Sequence, residues 1–256
     1  MGGRPAVVEV HPGGDVRAPG AGALTDPGLR RRARLVFGLD ADHALIEPVL
    51  LADPLLESLV AIRPGLRVAG AWDGFELAVR AVLGQQVTVA AGRGLAGRIA
   101  VRHGIPLPRP AGSLERLFPA AETLAAVELD GMPAARARAL RALAVAVAGG
   151  LAIDERQDRE SLRAALLELP GIGPWTVEYI AMRALRDPDA FPASDLVLRS
   201  ALGGISAAQA QRRAEAWRPW RAYAAMHLWA AAAAARGQAG APVSSSAVRS
   251  SRTFSR

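Results

Sequence analysis

Apolar residues recur at helical spacing along most of the chain, and the pattern is sharpest between Leu162 and Leu202. Leu162, Leu166 and Leu169 fall on one helical face, a Pro170-Gly171-Ile172-Gly173 turn interrupts it, and Pro174 opens a second helix. Proline at the first helical position loses no hydrogen bond, because that N–H precedes any intrahelical acceptor. Both glycines of the turn are read as supplying backbone conformations that a side chain resists. The unit predicted is a helix, a tight turn and a helix. After an Asp187-Pro188-Asp189 loop and Pro192, Asp195 stands at the start of a further amphipathic segment running from Leu196 to Leu202.

The remaining elements follow in order. Ala6 to Val10 and Val16-Arg17 flank a Pro12-Gly13-Gly14-Asp15 turn and predict a hairpin, followed by a loop over 18–23. Helices are predicted over 27–37, 41–50 and 54–62. Phe75, Val79 and Val82 form one stripe of a buried helix over 73–83, which Gly84 ends. Gln85 and Gln86 sit at the junction before a helix over 87–102. Pro106 to Pro110 is predicted to be a rigid linker rather than a strand, with short helices over 113–117 and 121–127. A helix over 134–148 ends at Gly149-Gly150, and two more cover 207–217 and 220–235. Residues 237–256 are rich in Ser, Ala and Arg and are predicted to be disordered.

Hydrophobic residues make up 51% of the chain but aromatics only 5%, a balance that favours Ala/Leu helices over a sheet. No charge-free run of apolar residues reaches membrane-spanning length, and the N-terminus lacks an apolar signal core, so a cytoplasmic protein is expected. The net charge of +7 suggests nucleic acid, yet the segment from Arg236 onward holds four arginines and no acid, so without it the charge falls to +3. Local placement must carry the argument. The chain contains no cysteine and no lysine. Thiolate-held iron–sulfur clusters, cysteine zinc sites and disulfides are therefore excluded, and so is covalent chemistry through a lysine Schiff base.

Candidate chemistry clusters in the helix-turn-helix unit. The amides around Gly171, Ile172 and Gly173 and the start of the second helix offer N–H groups to an anion such as a phosphate, although such a turn also serves as a plain connector. Trp175 and Tyr179 are four apart and share a face; alone, they fit a core pair better than a site. Asp195 alone reads as a helix N-cap. Arg30, Arg31, Arg32 and Arg34 read as a solvated face, and Arg136 and Arg138 as exposed residues within reach of DNA. Trp217 and Trp220 read as packing, and His227 as a hydrogen-bonded core histidine.

LPGIGPW, the Asp195 twenty positions after Trp175, and RPWRAYAAMHLW near the end resemble the helix-hairpin-helix DNA glycosylase superfamily, in its 3-methyladenine DNA glycosylase II branch. The resemblance runs from about Ile62 to Ala235, and Arg63-Pro64-Gly65-Leu66-Arg67 matches the family's connector before its helical core. It implies an enzyme that flips a damaged base out of duplex DNA and cleaves its N-glycosidic bond. Asp195 would be the catalytic carboxylate, Trp229 would join Trp175 and Tyr179 as the base pocket, and Gly171, Ile172 and Gly173 would grip DNA.

Gln86 matches the position where relatives carry an apolar wedge that fills the gap left by the flipped base. A glutamine there fills space and can hydrogen-bond the orphaned base; the competing reading is a buried amide capping the Gly84 junction. Some relatives carry a catalytic lysine where Trp175 stands, so a monofunctional enzyme that stops at an abasic site is expected, with no cofactor and no metal. Alkylated purines such as 3-methyladenine and 7-methylguanine are the expected lesions. The same fold acting on oxidised or deaminated bases, and a non-catalytic DNA-binding module, are the alternatives.

The expected architecture is mainly α. Two helical lobes, 70–187 with the hairpin and 45–69 plus 188–236 with Asp195, enclose a central cleft. They follow a small α/β portion over 1–44, expected to be the last part of a longer domain. A monomer acting on nucleoid DNA, without membrane contact, is expected.

Overall fold

The computed structural model describes residues 9–10, 16–17, 27–111 and 114–239. β1 (Glu9–Val10) and β2 (Val16–Arg17) pair antiparallel, Glu9 opposite Arg17. The predicted extension to Ala6, the turn over 12–15, the loop over 18–23 and the tail beyond Ala239 lie outside the described residues. α1 (Pro27–Phe37), α2 (His43–Leu51) and α3 (Pro54–Ile62) follow. The arginine face of α1 is partly engaged. Arg34 Nε reaches Asp40 at 2.8 Å, and the Arg32 guanidinium lies over the Trp72 ring at 5.6 Å.

The helical body continues with α4 (Gly74–Leu83) and α5 (Val89–His103), then a two-stranded ribbon of β3 (Ile105–Ala111) and β4 (Leu114–Leu117). This ribbon corrects two expectations, the proline linker and the short helix over 113–117. Ile105 pairs with Leu117 and Pro106 with Arg116, with an irregular register toward Ala111. Proline cannot donate to a ladder, but in a two-stranded ribbon each strand has a free edge, so the missing N–H groups need no partner. Reading the prolines as breakers missed that escape.

α6 (Ala121–Ala126), α7 (Ala134–Ala148), α8 (Arg159–Leu167) and α9 (Pro174–Arg183) come next, then α10 (Leu196–Ala201), α11 (Ala207–Ala214) and α12 (Arg221–Ala239). Side-chain caps explain most helix starts. Asp42, Asp53, Asp73, Thr88, Asp158, Asp195 and Ser206 each accept from an amide in the first turn that would otherwise lack a partner. α12 runs to Ala239, so Gly237, Gln238 and Ala239 continue the helix rather than opening the tail.

The buried apolar residues form two clusters. One gathers Val79, Val82 and Leu83 of α4, Ile99 of α5, Leu124 of α6, Leu140 and Leu143 of α7 and Leu166 of α8. The other gathers Ile46 and Leu50 of α2, Leu56 and Val60 of α3, Leu198 of α10, Trp217 and the alanine-rich face of α12. α9 belongs to both: Val177 and Ile180 enter the first cluster, Ala181 and Met182 the second. Its apolar residues spread around the helix, so both faces are buried and α9 becomes the seam of the molecule.

Buried polar groups tie the second cluster. Trp217 Nε1 donates to Asp53 Oδ2 at 2.7 Å, and Arg213 pairs with the same carboxylate at 2.5 Å. Burial alone would raise the Asp53 carboxyl, but these donors and the Leu55 amide outweigh it and hold the group below its ordinary value.

His227 is 3% exposed with Nδ1 unpartnered, and burial pushes its imidazole below the ordinary 6.5 despite a hydrogen bond to the Leu59 backbone. The unfolded chain therefore takes up this proton first as pH falls. The stability His227 contributes is complete above about pH 6.5 and lost on acidification through the lower folded-state value. Thermal unfolding followed by circular dichroism from about pH 7 down to about pH 5 should show a falling midpoint, with a shallower slope in His227→Phe.

Candidate active site

The turn between α8 and α9 is exposed at Pro170 and Gly171. Gly171 has φ +79, and a Cβ there would lie 2.8 Å from the Ala139 Cβ on α7, so conformation and space both demand glycine. Gly173 differs from expectation. Its φ of −99 and ψ of 175 are ordinary extended backbone, and a Cβ would meet open space. The amides of Gly171 and Gly173 donate to no group among the described residues. Ile172 turns inward: its side chain is buried in the first cluster and its N–H donates to Leu169 O at 3.1 Å. Of the three turn residues, then, Gly171 and Gly173 present free amides and Ile172 anchors the turn.

The turn between α4 and α5 packs against this hairpin through Gln85, a residue the sequence pattern did not single out. Its Nε2 donates to Gly171 O at 3.0 Å and to Thr176 Oγ1 at 2.8 Å, and its carbonyl accepts from Arg136 at 2.7 Å. The amide that ties this junction is therefore the half-buried Gln85, not Gln86. Gln86 is exposed, with φ +56. Arg136, expected to be exposed, is half-buried by its bond to Gln85, while Arg138 is exposed. Two adjacent glutamines look alike in sequence; the backbone reversal decides which one turns inward.

On α9, the Trp175 and Tyr179 rings stack with centroids 5.4 Å apart and planes 13° from parallel. Trp229 of α12 joins them, its ring 6.4 Å from Tyr179 at 59°. Asp195, the N-cap of α10, faces this group. Trp175 Nε1 donates to Asp195 Oδ2 at 2.8 Å and Trp229 Nε1 to Oδ1 at 3.1 Å. Oδ1 also accepts from the Val197 and Leu198 amides, each at 2.9 Å. All four side chains are half-buried. A carboxylate has about four acceptor directions, and three of these donors converge on Oδ1. Oδ2, with one indole, keeps room for a further partner.

The loop that delivers Asp195 is itself tied down. Asp187, 5% exposed, pairs with Arg163 at 2.5 Å, and Arg163 Nε reaches Glu178 of α9 at 2.9 Å. Burial opposes the charge of Arg163, but its bonds to Glu178 and Asp187 prevail and raise its pKa. Asp189 takes Arg221 at 2.7 Å and Arg218 at 2.5 Å. These pairs line a groove of about 770 Å³ that includes neither Trp175 nor Asp195. Its charges satisfy one another, so the half-open ring cluster and not this groove is the candidate site. Among the described residues no group of His, Asp and Glu is arranged to hold a metal ion.

Comparison with known proteins agrees with this geometry. Residues 23–73 match the family model of the AlkA N-terminal domain. A Mycobacterium tuberculosis protein named "Probable bifunctional transcriptional activator/DNA repair enzyme AlkA" is 46% identical over 206 residues, 77% of this chain and 41% of the relative. The Escherichia coli K12 "DNA-3-methyladenine glycosylase 2" is 40% identical over 188 residues, 68% of this chain and 63% of the relative. The chain thus spans about two fifths of the first relative and under two thirds of the second. A solved 3-methyladenine DNA-glycosylase from Archaeoglobus fulgidus superposes with a TM-score of 0.71 at 21% identity, covering 89% of this chain and 86% of that one. That last likeness is one of fold.

A helix-hairpin-helix packed on a helical body, with an aspartate capping the helix that faces an aromatic cluster, is the arrangement behind these likenesses: the chain has the fold of the helix-hairpin-helix DNA glycosylases. Its homologues at 40–46% identity are the proteins named AlkA and DNA-3-methyladenine glycosylase 2.

The two hairpin glycines should separate on substitution. Gly171→Ala should lose stability by about 1–2 kcal/mol from the positive φ alone, with the Ala139 contact adding to it. Gly173→Ala should cost distinctly less; urea denaturation of the two variants reads the difference.

Proposed function

We propose that this protein is a monofunctional DNA glycosylase of base excision repair. It hydrolyses the N-glycosidic bond of alkylated purines flipped out of duplex DNA and leaves an abasic site. The observation that carries this reading is the Asp195 carboxylate, held between the indole N–H groups of Trp175 and Trp229 beside the stacked Tyr179 ring. The names of the relatives, a DNA repair enzyme and a DNA-3-methyladenine glycosylase, point the same way.

The chemistry follows from the leaving group. A purine alkylated at N3 or N7 already carries positive charge, so its bond to the sugar breaks without a general acid. Half of the paired-carboxylate apparatus of ordinary glycoside hydrolysis is then unnecessary. Asp195 stabilises the positive charge that develops on the sugar, and Oδ2, the oxygen with fewer donors, faces that charge or orients the attacking water. Electron-rich rings attract a cationic base by about 0.5–2 kcal/mol per contact, so a pocket built from Trp175, Tyr179 and Trp229 selects by charge and tolerates several lesions.

The amides of Gly171 and Gly173, with the start of α9, take a DNA phosphate, and exposed Gln86 enters the duplex beside the displaced base. The chain acts as a monomer on duplex DNA, in the cytoplasm at the nucleoid. Without a lysine it lacks the amine for strand cleavage through a Schiff base. The two apolar clusters support lobes of 70–187 and of 45–69 with 188–236, after an N-terminal portion over 1–44.

Asp195→Asn should lower base release from methylated duplex by at least about 10²-fold while duplex affinity is retained; single-turnover release and a binding isotherm measure the two, and retained turnover would remove Asp195 from its role. Trp175→Ala should slow release by about 10-fold or more, since it removes both a ring contact and a hydrogen bond to Asp195. Product strands should stay intact on a denaturing gel until alkali is added; breakage without alkali contradicts monofunctionality.

A further inference from the structure

The residue with the most cross-element bonds near the hairpin is neither a ring nor an acid. Both donors of the Gln85 amide are spent on the hairpin, one on the turn at Gly171 O (3.0 Å) and one on the first turn of α9 at Thr176 Oγ1 (2.8 Å). Its main-chain carbonyl is held from a third element by Arg136 of α7 at 2.7 Å. Thr176 is 1% exposed, so that bond is shielded from competing water. The residue that follows, Gln86, is exposed with φ +56. A side chain resists that left-handed conformation, and such strain persists where neighbours over-determine it. Here the neighbours are the partners of Gln85.

We propose that Gln85 is a positioning residue that locks the turn presenting Gln86 to the helix-hairpin-helix turn, so that the grip on the DNA backbone and the insertion beside the displaced base act as one rigid body. Gln85 touches no DNA in this role; it acts through Gln86. Thr176 and Arg136 are the other two members of the lock. The inference rests on the glycosylase reading, because it assigns Gln85 to the flipping step. Without the two amide bonds, the α4–α5 turn loosens from the hairpin. The backbone grip, made by main-chain amides, stays, but the extruded state loses its support.

The test uses Gln85→Met, which keeps the volume and removes both donors, and Thr176→Val, which removes one acceptor and leaves Gln85 in place. Two net hydrogen bonds correspond to about a 10–30-fold fall in kcat for base release from methylated duplex in Gln85→Met, and one to about 3–6-fold in Thr176→Val. Affinity for undamaged duplex should stay within about two-fold of wild type, because phosphate contacts dominate it. The fluorescence rise of a 2-aminopurine placed beside the lesion, which reports extrusion, should shrink in the same order.

Wild-type kcat and wild-type fluorescence in Gln85→Met overturn the inference. So does a fall in kcat matched by an equal fall in duplex affinity or by a lowered Tm, which marks a merely structural role. If wild-type protein frees no base from alkylated DNA, the glycosylase reading fails and takes this inference with it; if wild type is active and Gln85→Met equals it, this inference fails alone.

Discussion

Four N–H groups converge on one carboxylate. The indoles of Trp175 and Trp229 and the amides of Val197 and Leu198 all donate to Asp195, and they come from α9, α12 and the first turn of α10. Hydrogen bonds to an ionised acceptor are short and about twice as strong as neutral ones, so this junction fixes three elements relative to one another. The same bonds set the directions of two indole rings. A single carboxylate thus orients the ring cluster and, in the proposed mechanism, is also its reactive group.

That junction depends on α9 being buried on two sides. Val177 and Ile180 pack into the cluster below the hairpin, Ala181 and Met182 into the cluster behind α10 and α12, and what remains for the cleft is the face bearing Trp175 and Tyr179. The loop from Asp187 to Phe191 completes the arrangement. Arg163 ties Asp187 to Glu178, and Glu178 accepts the Phe191 amide at 3.0 Å. Ion pairs this shielded from water add little net stability, because desolvation offsets attraction; here they set the course of the chain just ahead of Asp195.

Much of this was legible in the chain. The helices over 27–37, 54–62 and 134–148 have the bounds their proline, capping and glycine signals predict, and Pro174 opens α9 as expected. Trp175 and Tyr179 share a face because residues four apart on a helix must. Local pattern could not reach from α12 to α9: Trp229 joined the ring pocket only through likeness to a family, and its bond to Asp195, 34 residues away, has no local signal. The misses share a physical cause, since each turned on what a residue faces rather than on what it is. Prolines over 106–110 joined a ribbon because their N–H-less edge is free. Gln85 and Arg136 turned inward because each found a partner on another element. Gly173 adopts a backbone that any residue can adopt.

In the proposed mechanism, an aspartate facing electron-rich rings suffices to free a base already carrying positive charge. The most direct test is mass spectrometry of the bases released when the purified protein is incubated with duplex DNA carrying methylated, oxidised and deaminated bases together. The expected products are 3-methyladenine and 7-methylguanine in the supernatant. Release confined to 8-oxoguanine or uracil, or release of no base at all, would contradict it.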